Sequence, residues 1–241
     1  MSNSRSGTGR RPLIVGIDGP AGAGKSTVAR KLAAELGYLY VDTGAMYRAL
    51  TLKALREGLD VRDPTEMERL ASRTTIALHQ ERSSEGADVR VLLDGREVGR
   101  EIRNPSVGAA VSYVSEHAGV RRIMVDKQRS LAESGGVVIE GRDICTRVVP
   151  NADVKVFLTA AFEERARRRF RELREKGYDV TLEAVEDEVR KRDEIDSTRA
   201  VDPLRPAPDS VIIDSTAMSV GEVVDEIMKL CRGKQECFTA R

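Results

Sequence analysis

The run Gly19-Pro20-Ala21-Gly22-Ala23-Gly24-Lys25-Ser26-Thr27 carries the clearest chemistry in the chain. A glycine, four residues and then Gly-Lys-Ser is the spacing of a loop that wraps a polyphosphate. Its glycines let the backbone curl and aim N–H groups inward. A helix starting at the end of the loop adds further donors and a favourable dipole. Lys25 supplies a mobile positive charge to the terminal phosphates, and the Ser26 hydroxyl suits Mg²⁺. The loop is expected to hold a nucleoside triphosphate with Mg²⁺. By itself it does not say what becomes of that triphosphate.

Scattered arginines are the second resource: Arg48, Arg121, Arg142, Arg165, Arg168, Arg169, Arg192 and Arg199. Guanidinium groups stay charged and grip phosphate oxygens two at a time. That suits phosphoryl transfer, where a protein positions two substrates and neutralises the moving charge. The run Phe162–Lys176 has another reading, because Glu164 precedes Arg168 by four residues, a pairing common on exposed helices.

The elements that must position these groups alternate between strand and helix. Strands are predicted at Leu13–Ile17, Tyr38–Val41, Val137–Glu140, Val154–Leu158 and Val211–Ile213. Helices are predicted at Lys25–Leu36, Ala45–Glu57, Gly119–Ala132, Phe162–Lys176, Leu182–Ile195 and Val220–Leu230. This rhythm favours a parallel sheet covered by helices. Ligands then sit at the carboxyl ends of the strands, where Asp42-Thr43-Gly44 and Gly141-Arg142-Asp143 fall. From Thr74 to Val98 the apolar period becomes two, and Asp94-Gly95 marks a tight hairpin, so a small antiparallel meander is expected as an insertion. Asn104-Pro105 starts a helix through about His117.

Composition narrows the classes. Of 241 residues, 40 are basic and 39 acidic, which argues against a general nucleic-acid binder. Two histidines and three cysteines (Cys145, Cys231, Cys237) show neither metal-ligand spacing nor a disulfide framework, which suits a reducing cytosol. His79 and His117 are expected to be structural or exposed. No apolar run is long enough to span a membrane, and a cytoplasmic monomer is expected. Residues 1–11 read as a disordered tail, 12–230 as the folded unit and 231–241 as a flexible tail. A guanine-reading Asn/Thr-Lys-x-Asp segment is missing, and the strand Val137–Glu140 does not end in Asp-Glu. A small-molecule kinase leads over a GTPase or a mechanical ATPase. A nucleotide-binding regulatory module remains the rival from another class.

Together, Gly19–Thr27, Asp42-Thr43-Gly44-Ala45-Met46-Tyr47-Arg48, Gly141-Arg142-Asp143, Glu163-Glu164-Arg165-Ala166-x-Arg168-Arg169, Arg192-Asp193, Asp196 and Arg199-Ala200-x-x-Pro203-Leu204 resemble the bacterial cytidylate kinases. These are a branch of the P-loop nucleoside monophosphate kinases. The resemblance covers about residues 12–230. It implies a three-layer α/β fold with a central parallel sheet. It further implies an antiparallel monophosphate-binding insertion at about 61–118, between core segments 12–60 and 119–230, and a mobile helical lid at about 160–178.

The implied reaction moves the γ-phosphoryl of ATP to CMP or dCMP. Gly19 to Thr27 would hold the ATP phosphates, Ser26 the Mg²⁺, and Lys25 would bridge donor and moving phosphoryl. Arg48, Arg142 and Arg199 would clamp the acceptor phosphate. Arg192 and Asp196 would act near the acceptor sugar and phosphate, and Thr43 supplies a hydroxyl in the same site. Arg165, Arg168 and Arg169 would sit on the lid and close over the ATP triphosphate. Cytosine offers an amine donor beside two acceptors, so Asp143 suits the amine, and Arg121 and Ser112 suit N3 and O2. Uracil would set an acceptor against Asp143, an unpaired contact worth ~1–3 kcal/mol. The preference between CMP and dCMP, and between ATP and another donor, stays open.

Overall fold

The computed structural model describes residues 11–83 and 86–239. Of the predicted tail 1–11, residues 1–10 lie outside them, as do residues 84, 85, 240 and 241. Five parallel strands form the central sheet in the order β2-β6-β1-β7-β8. They are β1 (Ile14–Asp18), β2 (Leu39–Asp42), β6 (Val137–Gly141), β7 (Val154–Thr159) and β8 (Val211–Asp214). The β1 and β6 runs are almost wholly apolar and buried, as a sheet covered on both faces demands. One face carries helices α1 (Lys25–Leu36) and α8 (Val220–Thr239); Val28, Leu32, Val223 and Ile227 pack there on Val15 and Val156. On the other face α5 (Ala118–Ala132) packs Val125 and Ala132 against Val137 and Ile139.

The meander is a three-stranded antiparallel sheet of β3 (Ile76–Ser83), β4 (Gly86–Leu93) and β5 (Arg96–Glu97). Asp94 and Gly95 turn it with φ of 48° and 81°, the left-handed pair that a tight hairpin needs. It docks on the edge of the parallel sheet through Gln80, whose amide oxygen accepts from Tyr40 N at 2.7 Å and whose Nε2 donates to Tyr38 O at 3.0 Å. The side chain thereby imitates a neighbouring strand. Helices α2 (Thr43–Arg56), α3 (Pro64–Ser72) and α4 (Pro105–Glu116) complete this part of the molecule. Met46, Leu50, Met67, Leu70 and Val111 form its core.

Helix α3 was not among the sequence-based expectations, although Asp63-Pro64 announces it. The Asp63 carboxylate accepts from Thr65 N and Glu66 N, and proline stands at the first helical turn. Helix α2 begins at Thr43 rather than at the expected Ala45, because Asp42 caps it by accepting from Ala45 N. The expected loose tail after residue 230 needs correction too. Helix α8 runs on to Thr239, and Cys231 is fully buried in the core against α1 and the sheet.

Helices α6 (Phe162–Glu175) and α7 (Leu182–Thr198) form a hairpin with a core of its own, made of Leu173, Val185 and Val189 with Phe162, Phe170 and Tyr178. Gly177, at φ 81°, ends α6, donating to Arg174 O while Tyr178 N donates to Leu173 O. Residues Ile144–Val148 make a short π-helical turn after β6.

Candidate active site

The candidate donor half is built on the loop between β1 and α1. Gly22 and Gly24 sit at φ 76° and 88°, conformations that side chains disfavour. At Gly22 the α6 backbone comes so close that a Cβ would lie 2.6 Å from Arg165 O. Lys25 is buried and its Nζ donates to Pro20 O at 2.7 Å. Burial, and next the nearby Arg142, push its pKa down. Glu140, near the end of β6, accepts from Tyr40 OH at 2.8 Å, and Ser26 favours its charged form. Burial and the neighbouring Asp42 push the Glu140 carboxyl up.

The α6 arginines divide between two tasks. Arg165 donates to Ala21 O at 3.0 Å and pairs with Asp193 at 2.6 Å. Arg168 donates to Ser215 O at 2.7 Å and to Ser215 Oγ at 3.0 Å. Both therefore brace the frame of the glycine loop. Arg169 faces the other way, 3.1 Å from Glu172 and 3.7 Å from Glu188, and adds its charge to the field around Arg48 and Arg192.

The candidate acceptor half is a pocket between the sheet, the insertion and α7. It is lined by Thr43, Gly44 and Tyr47 of α2, Val111, Ser112 and Ser115 of α4, and Arg121 of α5. The rest of its wall is Gly141, Arg142 and Asp143 after β6, Arg192 and Asp196 of α7, and Arg199 just beyond. Arg142 Nε donates to Asp196 Oδ2 at 2.7 Å, and Arg192 Nε stands 4.0 Å from the same oxygen. Burial would raise the Asp196 carboxyl, but these two arginines hold it below the usual range. Arg192 Nε is buried with no hydrogen-bond partner among the described residues. Burial, then Arg142 and Arg48, hold the Arg192 guanidinium down to about 9. Arg48 is lowered as well, by burial and by Arg169, Arg103 and Arg142, with Asp42 opposing. Arg48, Arg142 and Arg192, crowded at one end of the pocket, repel one another, and a bound dianion would relieve that repulsion.

Beside this arginine cluster lies a second charged network. Asp143 is paired with Arg121 through Oδ2 and with Arg199 through Oδ1, the latter at 3.3 Å. Arg121 Nε donates to Asp202 Oδ2 at 3.1 Å, and Arg199 Nε to Asp202 O at 2.8 Å. Asp202 thus fixes both arginines from a backbone at φ 48°.

The expected residues Thr43, Ser112, Arg121, Arg142, Asp143, Arg192, Asp196 and Arg199 all line this pocket, and Arg48 adjoins it. The Thr43 hydroxyl is engaged by its neighbour, donating to Glu140 O at 2.7 Å. The sequence-based expectations missed Tyr47 and Ser115 of the pocket wall, and Glu140 and Asp202, which bond to Thr43 and Arg121. Tyr47 and Asp202 lay inside motifs already singled out, whereas Glu140 reads as an ordinary strand end. His117 Nε2 lies 2.8 Å from Val61 O, in keeping with a structural part. Among the described residues the three cysteines are free thiols and no cluster of metal-binding side chains occurs. No described helix is long and apolar enough to cross a membrane.

A five-stranded parallel sheet carrying a Gly-Lys-Ser phosphate loop, with an arginine-lined acceptor pocket across from it, defines a P-loop kinase. The family model for cytidylate kinase matches residues 15–233. A cytidylate kinase of Symbiobacterium thermophilum is 51% identical over 224 residues, covering 93% of this chain and 98% of that one. That of Desulforamulus reducens is 55% identical over 214 residues, covering 89% and 94%, and that of Geobacillus kaustophilus 50% identical over 221 residues, covering 92% and 97%. The chain belongs to the cytidylate kinase family.

Proposed function

We propose that the chain transfers the γ-phosphoryl of ATP to CMP or dCMP, giving CDP or dCDP and ADP. The observation that carries this reading is the pocket pairing two unlike ends. One end crowds Arg142, Arg192 and Arg48 around a place for a phosphate, and the other sets Asp143 between Arg121 and Arg199. Each Asp143 oxygen spends one lone pair on an arginine and keeps another for the cytosine amine. Ser112 and Arg121 lie on the same wall, suited to the acceptors of the ring.

The chemistry needs no strong base, because a phosphate monoester with a second pKa of ~6 is already anionic near neutrality. Gly19–Thr27 hold the donor phosphates. Arg142, Arg192 and Arg199 meet charge on the moving group and its acceptor. Lys25, at the seam between the halves, exchanges the Pro20 carbonyl for phosphate oxygens. Arg165 and Arg168 keep the donor loop in shape, and Arg169 adds charge from the hairpin, which acts as a lid excluding water.

The donor set also fits Mg²⁺. Ser26 offers a hydroxyl, and Glu140 and Asp42 gather negative charge beside it that burial makes costly without a cation. Bound there, Mg²⁺ supplies charge neutralisation across the donor phosphates. Action as a cytoplasmic monomer belongs to the same proposal, and the near balance of charges favours action without nucleic acid.

A coupled assay of ADP release against CMP, dCMP, UMP and AMP tests the reading. CMP or dCMP is expected to lead. Preference for UMP or AMP refutes it, and ATP binding with no turnover on any monophosphate favours a regulatory module.

A further inference from the structure

The loop that presents Arg142 and Asp143 has an anchor far away in sequence. After β6 the chain turns at Gly141, where a Cβ would lie 2.5 Å from Thr43 Oγ1, and enters the π-helical turn Ile144–Val148. The first N–H groups of such a turn have no partner within it. No side chain at its start caps it. The cap comes instead from Asp18, the last residue of β1. Ile144 N donates to Asp18 Oδ1 at 2.7 Å and Cys145 N to Oδ2 at 2.8 Å. Both carboxylate oxygens are thus used on consecutive amides, and Asp18 is only 1% exposed.

Asp18 also occupies a junction. Gly19, the first residue of the donor loop, follows it directly, and β1 pairs with β6 so that Asp18 stands opposite Gly141. One carboxylate therefore joins the strand that ends in the donor loop to the turn that follows the acceptor-reading residues. We propose that Asp18 is a positioning residue for acceptor binding, which locks the turn after Asp143 to the donor strand and so fixes where Arg142 and Asp143 point. The inference rests on the acceptor role given above to these two residues.

The environment makes the lock adjustable. Burial raises the Asp18 carboxyl to about 6, opposed by the two amides and reinforced by Asp143. The Cys145 thiol is itself pushed up, by burial first and then by Asp18, with Lys155 acting in the opposite sense. Asp143 on the loop and Cys145 on the turn act on Asp18, and Lys155 on β7 acts on Cys145. Protonation would turn one acceptor oxygen into a donor facing an amide.

Two measurements test this. In Asp18→Asn an amide group faces one of the two N–H donors. Calorimetry is expected to show CMP binding weakened about tenfold or more, as for a misplaced binding group, with ATP affinity within about twofold of wild type. Equal weakening of both, or of neither, overturns the proposal. Should Asp18→Asn not fold, nitrogen NMR of the nucleotide-free wild type decides. The amides of Ile144, Cys145, Arg142 and Asp143 are expected to titrate with one common midpoint near 6. Titration confined to Ile144 and Cys145, or none, overturns it. Because that measurement needs no ligand, it stands even if the wild type binds no CMP.

Discussion

Asp143 and Asp202 show how a single carboxylate acquires a role from its neighbours. Burial raises Asp143, while Arg121 and Arg199 favour its charged form. Asp202 holds those same arginines, one by its side chain and the other by its carbonyl. Its φ of 48° suits glycine and asparagine, so the two contributions are separable. Asp202→Gly keeps the backbone and removes the carboxylate; steady-state kinetics should show KM for CMP up about fivefold, with kcat changed less. Asp202→Asn should recover part of that loss. Asp18 makes a prediction about stability. Its folded pKa of about 6 lies above the ordinary 3.8, so its contribution is full below about 3.8 and is lost as pH rises through about 6. Thermal melts of the wild type minus those of Asp18→Asn should therefore fall across that window. A flat difference would mean that Asp18 does not titrate there.

Among elements, the loop from Gly19 to Thr27 depends on a partner that its own motif does not contain. Helix α6 lies against it at Gly22, and Arg165 and Arg168 tie the two together directly and through Ser215. Gly22→Ala adds a Cβ at φ 76° with backbone 2.6 Å away. It should cost about 1–3 kcal/mol through backbone strain and weaken ATP more than CMP, as binding titrations with each nucleotide would show. The family resemblance set Arg165, Arg168 and Arg169 on a lid over the triphosphate, and α6 directs these cations two ways, Arg165 and Arg168 toward the loop and Arg169 toward Glu172 and Glu188.

For the whole molecule, the central question is how the insertion, the sheet and the α6–α7 hairpin converge on one pocket. Gly108 of α4 marks their meeting, with Glu188 Oε1 3.7 Å and Arg169 Nη2 3.9 Å from where its Cβ would be. Gly108→Leu would wedge the insertion away from the hairpin. Rapid-quench kinetics should show kcat reduced about tenfold, as for a blocked closure, with ATP affinity retained. Loss of ATP affinity instead would place the damage in the donor half.

Much of this was legible in local pattern. The glycine loop, the alternation of strand and helix, the period-two meander and the residues following each strand are all short-range signals. A parallel sheet brings the ends of its strands to one edge, so Lys25, Thr43, Arg142 and Asp143 were bound to converge. What tertiary structure alone decided were partnerships across long separations. Asp18 caps a turn that begins 126 residues later, Asp202 orients Arg121 81 residues before it, and Glu140 meets Tyr40 across 100. Buried carboxylates take their roles from whichever donors folding brings to them, and such donors leave no periodicity beside the residue that needs them. Residues 231–239 follow the same rule, because Cys231 finds its core only once α8 lies against α1 and the sheet.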